Sequence, residues 1–174
     1  MSNKLVAIIA ASDSDLPIIS EAIKVLEEFA VPYEITISSA HRSPQKTVEY
    51  VEKAHKNGVK IIIAGASLAA HLAGVVASHF PLPVIGIPLK SGVLEGIDAF
   101  LATAQMPPGV PVATVGIDNA KNAGLLAVQI LATSDKNLEE KLVAYKKSLA
   151  QGVEKKAEKL EQVGYKKYLD EKQV

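Results

Sequence analysis

Short, unbroken apolar runs alternate along this chain with segments in which apolar residues recur every three or four positions. Leu5 to Ala10, Val59 to Ala64 and Val84 to Ile87 read as strands buried on both faces, because apolar residues fill both alternating sets of positions, with Lys60 near the start of the second as the polar exception. Tyr33 to Ser38, with Ile35, Thr36 and Ile37 at its centre, reads as another strand, and Val112 to Ile117 as the fifth. Between them, Ile18, Ile19, Ala22, Ile23, Leu26 and Phe29 fall at helical spacing. A second helix is predicted from about Pro44 to Lys56, with Val48, Val51 and Ala54 facing inward, ending at Asn57-Gly58. A third helix starts near His71, which is placed in its first turn. Further helices are predicted over about Leu94 to Thr103 and Asn119 to Ala132. Strands that alternate with helices imply a parallel sheet with right-handed crossovers. The expected fold is therefore a three-layer α/β/α domain, with the flavodoxin-like order 2-1-3-4-5 for its five-stranded parallel sheet.

The pattern changes at about Asp135. A long helix rich in lysine and glutamate follows, with Leu138, Leu142, Leu149, Val153, Ala157 and Leu160 on one narrow stripe. Gly164 is predicted to break it before a short amphipathic end, Tyr165 to Lys172. The expected division is an α/β domain over 1–134 and a helical extension over 135–174. A single apolar stripe that long needs a cover, and a neighbouring subunit can supply it.

In the order 2-1-3-4-5 the switch point lies between the first and third strands, where ligands bind at the carboxyl rim. Three polar turns converge there: Ser12 to Asp15, Ser39 to Ser43, and Gly65 to His71. Ser43 has the chemistry of a helix N-cap, and Pro44 suits the first helical position. His41 can move a proton near neutral pH, and Arg42 can grip phosphate or carboxylate with paired hydrogen bonds. Two serines and two aspartates in Ser12-Asp13-Ser14-Asp15 exceed what one cap needs. The small residues from Gly65 to Gly74 let a flat ligand approach the backbone. The plainer alternative is a set of polar turns with no chemistry.

Composition narrows the classes. Nineteen basic residues balance nineteen acidic ones, so no net field recruits nucleic acid or an anionic membrane, and any anion affinity is local. The chain has no cysteine, which excludes thiol catalysis, disulfides and cysteine-ligated metal. Neither Gly-x-Gly-x-x-Gly nor a Walker pattern occurs, so dinucleotides and nucleoside triphosphates are not indicated. His41, His55, His71 and His79 lack metal-ligand spacing. The first apolar run is too short for a signal sequence or a membrane span, and the expected location is the cytoplasm.

Five motifs occur here in a fixed order. They are Ser12-x-Ser14-Asp15, Ser39-Ala40-His41-Arg42-x-Pro44, Ala64-Gly65-Ala66 with Ala69-Ala70-His71-Leu72, Pro83 to Pro88, and Gln105-Met106-Pro107-x-Gly109-x-Pro111-Val112. In them the chain resembles the 5-(carboxyamino)imidazole ribonucleotide mutases of purine biosynthesis, over about residues 4 to 133. The tail's Leu160-Glu161-Gln162-x-Gly164-Tyr165 resembles some members as well. The resemblance implies an isomerase that moves a carboxylate from an exocyclic nitrogen to a ring carbon through carbon dioxide, giving 4-carboxy-5-aminoimidazole ribonucleotide without metal or organic cofactor. It implies His41 as the catalytic acid/base and Ser12, Ser14, Ser39 and Arg42 as phosphate ligands. Asp15 would accept from the sugar hydroxyls, and Ala66, Ser67 and His71 would form the wall around the carboxylate. A homo-octamer is the implied assembly, with neither nucleic acid nor membrane as a partner. Arginine at Arg42 resembles the mutase class, whereas the related carboxylases, which use free carbon dioxide, generally carry lysine there. The alternatives are such an aminoimidazole ribonucleotide carboxylase using free carbon dioxide, or a non-catalytic or altered-specificity nucleotide-phosphate binder on the same scaffold.

The sequence departs from the family at Ala11 and at Ser67-Leu68, where glycines are usual, and at Ala73, where proline is usual. Serine and leucine should hold that loop at φ below zero. The expectation is that Leu68 turns away from the pocket and that activity survives.

Overall fold

The computed structural model describes residues 4–171, and the chain divides into two units, one ending at Leu131 and the other starting at Ala132. The first unit is built on β1 (Val6–Ala10), β2 (Tyr33–Ile37), β3 (Ile61–Ser67), β4 (Val84–Leu89) and β5 (Ala113–Thr114). These strands form one parallel sheet in the order β2-β1-β3-β4-β5. Helices α1 (Leu16–Glu28), α2 (Pro44–Lys56), α3 (Leu72–His79), α4 (Ile97–Ala104) and α5 (Ala120–Ala132) follow the strands in turn.

Both faces of the central strands are covered. Ala7, Ile9, Ile62 and Ala64 pack with Val51 and Ala54 of α2, Leu72 and Val76 of α3, and Ala99 of α4. On the other face Gly65 lies against α1, where an added methyl would come within 2.7 Å of Ile19 Cδ1, so the Ile19 side chain occupies the space that a larger residue would need. Gly124 brings α5 against Ala22 and Val25 of α1 in the same way. Burial on two sides accounts for the unbroken apolar runs.

The register positions the site. β1 pairs with β2 from Val6–Tyr33 to Ala10–Ile37, and with β3 from Val6–Ile61 to Ala10–Gly65. Ala10, Ile37 and Gly65 therefore finish level, and the polar turns after β1 and β2 leave from one rim beside the last two residues of β3.

Several boundaries differ from the sequence reading. β3 starts at Ile61, because the Val59 N–H still donates to Ala54 O at the exit of α2, and it runs on to Ser67. His71 is the N-cap residue of α3 and stands before its first turn. On α2 the inward residues are Thr47, Val51 and Ala54, with Val48 half-buried. β5 is two residues long where six were expected, Val112 to Ile117. The Gly86 carbonyl accepts from the Val115 N–H at 3.1 Å and the Pro88 carbonyl from the Asp118 N–H at 3.0 Å, so this side of β4 faces β5. Proline has no N–H to return, and the ladder stops there.

The second unit contains α6 (Lys136–Asp170), whose N-cap Asp135 accepts from the N–H groups of Asn137 and Leu138 at 3.0 and 3.2 Å. Within it Gly164 has φ 74° and ψ 157°, which is not helical. Lys159 Nζ lies 2.6 Å from Glu171 Oε2 and 5.9 Å from the Tyr168 ring centroid. Twelve residues of continuous helix would span about 18 Å. The chain thus turns back at Gly164, at the break that the sequence predicts; Lys172, the expected last residue of the short end, lies outside the described residues. Among the described residues no helix is long and apolar enough to cross a membrane.

Candidate functional site

A cavity of about 470 Å³ opens at the carboxyl ends of β1 and β2. One wall is Ala11 to Asp13, and the other is Ile37 to Ser39 with Arg42 and Ser43. The two walls are joined by Arg42, whose guanidinium donates to the Ala11 carbonyl at 3.4 Å.

The first wall is a short 3-10 turn, Asp13–Asp15, leading into α1. Ser14 Oγ donates to Ser12 Oγ at 3.1 Å, and Ser12 Oγ donates to Asp13 Oδ1 at 3.0 Å. The Ser14 N–H reaches the same carboxylate oxygen at 3.0 Å. These donors, with the Ser12 hydroxyl foremost, hold the Asp13 carboxyl below its usual range. Asp15 turns its carboxylate back to the Ser12 N–H at 2.9 Å and does not cap α1 with its side chain. Burial pushes the Asp15 carboxyl up, so neighbouring aspartates are driven in opposite directions.

The second wall is the five-residue loop Ser39 to Ser43. Ser43 stands at the N-cap of α2 but makes no capping bond with its side chain. Its hydroxyl instead accepts from the Ser39 N–H at 3.1 Å and donates to the Ser39 carbonyl at 3.2 Å, closing the loop on itself. The Arg42 N–H donates to Ser39 Oγ at 3.2 Å, which leaves the Ser39 O–H to donate to a bound group.

His41, exposed on this loop, meets the exposed His71 at the start of α3. His41 Nε2 lies 2.6 Å from His71 Nδ1, with the rings 4.8 Å apart at 71°. One nitrogen of the pair carries the proton and the other accepts it.

Of the residues singled out from sequence, Ser12, Ser39 and Arg42 line the cavity, and Ser14 and Asp15 are bonded to Ser12. His41 and His71 are bonded to each other. Ala66 and Ser67 stand apart from this cavity, since both belong to β3 and pair with Pro88 and Leu89 of β4. Leu68 has φ 57° and Ala70 φ 21°, so the loop keeps a left-handed path despite its side chains, contrary to the expected negative φ. Sequence reading missed Asp13 as a partner of both serines, and it missed the buried pair Ser38 and Thr47 beneath the loop. A threonine at helical spacing from Val51 and Ala54 was the available signal.

Comparison with known proteins gives a consistent picture. A family model described as AIR carboxylase matches residues 5–152. An N5-carboxyaminoimidazole ribonucleotide mutase from Pyrococcus horikoshii is 56% identical over 167 residues, which is 96% of this chain and 94% of that protein. A protein of the same name from Synechocystis is 56% identical over 167 residues, 96% of this chain and 95% of its own. The crystal structure of Treponema denticola PurE superposes with a TM-score of 0.82 at 28% identity, covering 92% of this chain and 99% of that one.

Proposed function

Because the chain belongs to the AIR carboxylase family, we infer that it is a mutase of purine biosynthesis, an isomerase that converts N5-carboxyaminoimidazole ribonucleotide to 4-carboxy-5-aminoimidazole ribonucleotide. The bond from the exocyclic nitrogen to its carboxylate carbon breaks and releases carbon dioxide, and the nitrogen regains a proton. The ring carbon then attacks carbon dioxide and loses its own proton, so atoms and charge balance.

The observation that carries this reading is the placement of an imidazole pair beside an arginine-lined cavity. Arg42 and the free O–H of Ser39 suit a phosphate, because a charged fork and a neutral donor face one space; the hydroxyls of Ser12 and Ser14, whose protons go to Asp13 and to Ser12, would join them by turning to the ligand. Asp15 suits the sugar hydroxyls as an acceptor. His41 moves the proton between nitrogen and carbon, and His71 bounds the carboxylate. Ala66 and Ser67 at the end of β3 would complete that wall. No step in this scheme calls on a metal or organic cofactor, and carbon dioxide is its only intermediate partner. A phosphorylated, membrane-impermeant substrate goes with a cytoplasmic site of action.

The reading includes a homo-oligomer, with an octamer as the first assembly to test. Its support is exposed apolar surface: Val143, Leu149 and Val153 on α6 are all more than half exposed, at 64%, 54% and 66%. On this reading the helical extension packs on a neighbouring subunit. Light scattering should show the oligomer at micromolar concentration, and a monomer there would refute it. For the reaction, purified protein should interconvert the two carboxylated isomers in a spectrophotometric assay. Absence of interconversion in both directions would leave the altered-specificity binder.

A further inference from the structure

Beneath the Ser39 to Ser43 loop lies a buried pair of hydroxyls that none of the roles above uses. Thr47 is fully buried and Ser38 is 3% exposed. Thr47 Oγ1 lies 3.2 Å from the Ser43 carbonyl, to which it donates, and 2.8 Å from Ser38 Oγ. A hydroxyl has one proton. Either hydroxyl can donate within the pair; with Ser38 as its donor, the Thr47 hydroxyl adds a second bond to the Ser43 carbonyl, which also accepts from the Thr47 N–H at 3.1 Å, and the chain runs from Ser38 through Thr47 to Ser43. Both ends of this chain hold the loop. The Ser38 N–H donates to the Ala10 carbonyl of β1 at 2.9 Å, and the Ser43 hydroxyl binds Ser39 at both its N–H and its carbonyl. His41 and Arg42 sit on the arc between these anchors.

We propose that Thr47 is a positioning residue: through the Ser43 carbonyl it sets the arc that carries His41 and Arg42, without itself touching substrate. The proposal rests on the reading of that loop as the site of proton transfer and phosphate binding. Thr47 is the polar residue on the inward face of α2 that it shares with Val51 and Ala54. A buried hydroxyl is retained there only with partners that satisfy it, and both partners lie at the foot of the loop.

The test is Thr47→Val, which keeps shape and removes the hydroxyl, with Thr47→Ser as the conservative rescue. Turnover is read per folded molecule, at a temperature where circular dichroism shows the native fold. The expected result for Thr47→Val is a fall in kcat of at least about tenfold with a raised KM for the ribonucleotide, since small displacements of a catalytic group are costly. Thr47→Ser should recover most of that loss. A merely structural role would lower the melting temperature while leaving kcat per folded molecule alone, and that outcome overturns the proposal. Should Thr47→Val fail to fold, Thr47→Ala, which lacks the hydroxyl and adds no bulk, gives the same readout. His41→Asn measured alongside separates the two readings. An active His41→Asn refutes the role of the loop, whereas an inactive His41→Asn beside a fully active Thr47→Val refutes only the role of Thr47.

Discussion

His41 Nε2 and His71 Nδ1 stand 2.6 Å apart, and that bond ties the tautomer of one ring to that of the other. If neutral His41 donates through Nε2, its Nδ1 is bare and can act as a base. If His71 donates instead, neutral His41 carries its proton on Nδ1 and can act as an acid. Passing the proton from His41 Nε2 to His71 Nδ1, while the exposed His71 releases its Nε2 proton to solvent, therefore converts His41 Nδ1 between the two roles that the proposed carboxylate transfer requires.

His41→Asn should retain the fold and ribonucleotide binding while turnover falls by about 10²- to 10⁴-fold, the range for loss of a general acid/base. Asparagine keeps polarity and size but cannot shuttle the proton. Calorimetric binding together with a turnover assay checks both halves, and turnover within a few-fold of wild type would make His41 a structural residue.

Removing the other ring tests the coupling. His71→Ala should lower kcat by about tenfold or more, because the tautomer of His41 is no longer set. The ribonucleotide Kd should hold, since on the proposed reading Arg42 and the serines, and not His71, hold the phosphate. A variant that loses binding and keeps kcat would reassign His71 to ligand contact alone.

Arg42→Ala should weaken ribonucleotide binding far more than riboside binding. A charge-assisted contact to phosphate contributes about 1.5–3 kcal/mol and is absent from a riboside. The guanidinium also donates to the Ala11 carbonyl, so a modest loss common to both ligands is expected from loosening the walls. Equal losses for both ligands would place the phosphate elsewhere.

Asp15→Asn separates function from stability. Burial raises the Asp15 carboxyl above its ordinary 3.8, so the folded state holds that proton more tightly than the unfolded chain does. The stability this contributes is present in acid and is lost as pH rises through the unfolded value and then the folded one. Asparagine has no such titration. The melting temperature of Asp15→Asn relative to wild type should therefore rise from acid to neutral pH, while KM for the ribonucleotide rises by about tenfold or more through loss of a charged acceptor. A constant difference in melting temperature across pH would show that Asp15 is not held at this cost.

Much of this was legible in the sequence for identifiable reasons. Strand order followed from unbroken β-branched runs alternating with helical spacing, and the rim followed from the polar turns that end those runs. The Gly164 break was legible because a glycine late in a charged helix has little else to do. The hydroxyl network was not legible, because whether Ser43 caps α2 or turns back to Ser39 depends on a hydroxyl rotamer. Thr47 was hidden because Val48 offered an equally good helical phase with Val51. β5 was overestimated because its end is set by Pro88 on the strand beside it, a pairing partner that local pattern does not reveal.

The least legible feature was the path of Ser67-Leu68. Leu68 sits at φ 57°, a conformation that costs an ordinary side chain about 1–2 kcal/mol relative to glycine. Its side chain is half exposed, and a methyl placed on Gly92 would come within 3.1 Å of Leu68 Cδ2. The leucine therefore leans over the loop after β4 and is not part of the Arg42 cavity. Replacing it with glycine removes the strain but gives up about 1 kcal/mol of apolar burial and frees the unfolded chain by a similar amount. These terms nearly cancel, so Leu68→Gly should shift stability little, whereas leucine to glycine in an extended segment would lose on every count. Because Leu68 does not line the Arg42 cavity, Ser67→Gly with Leu68→Gly should leave turnover unchanged or reduced. A tenfold rise, equivalent to about 1.4 kcal/mol of barrier, would instead show that the native loop obstructs the transfer.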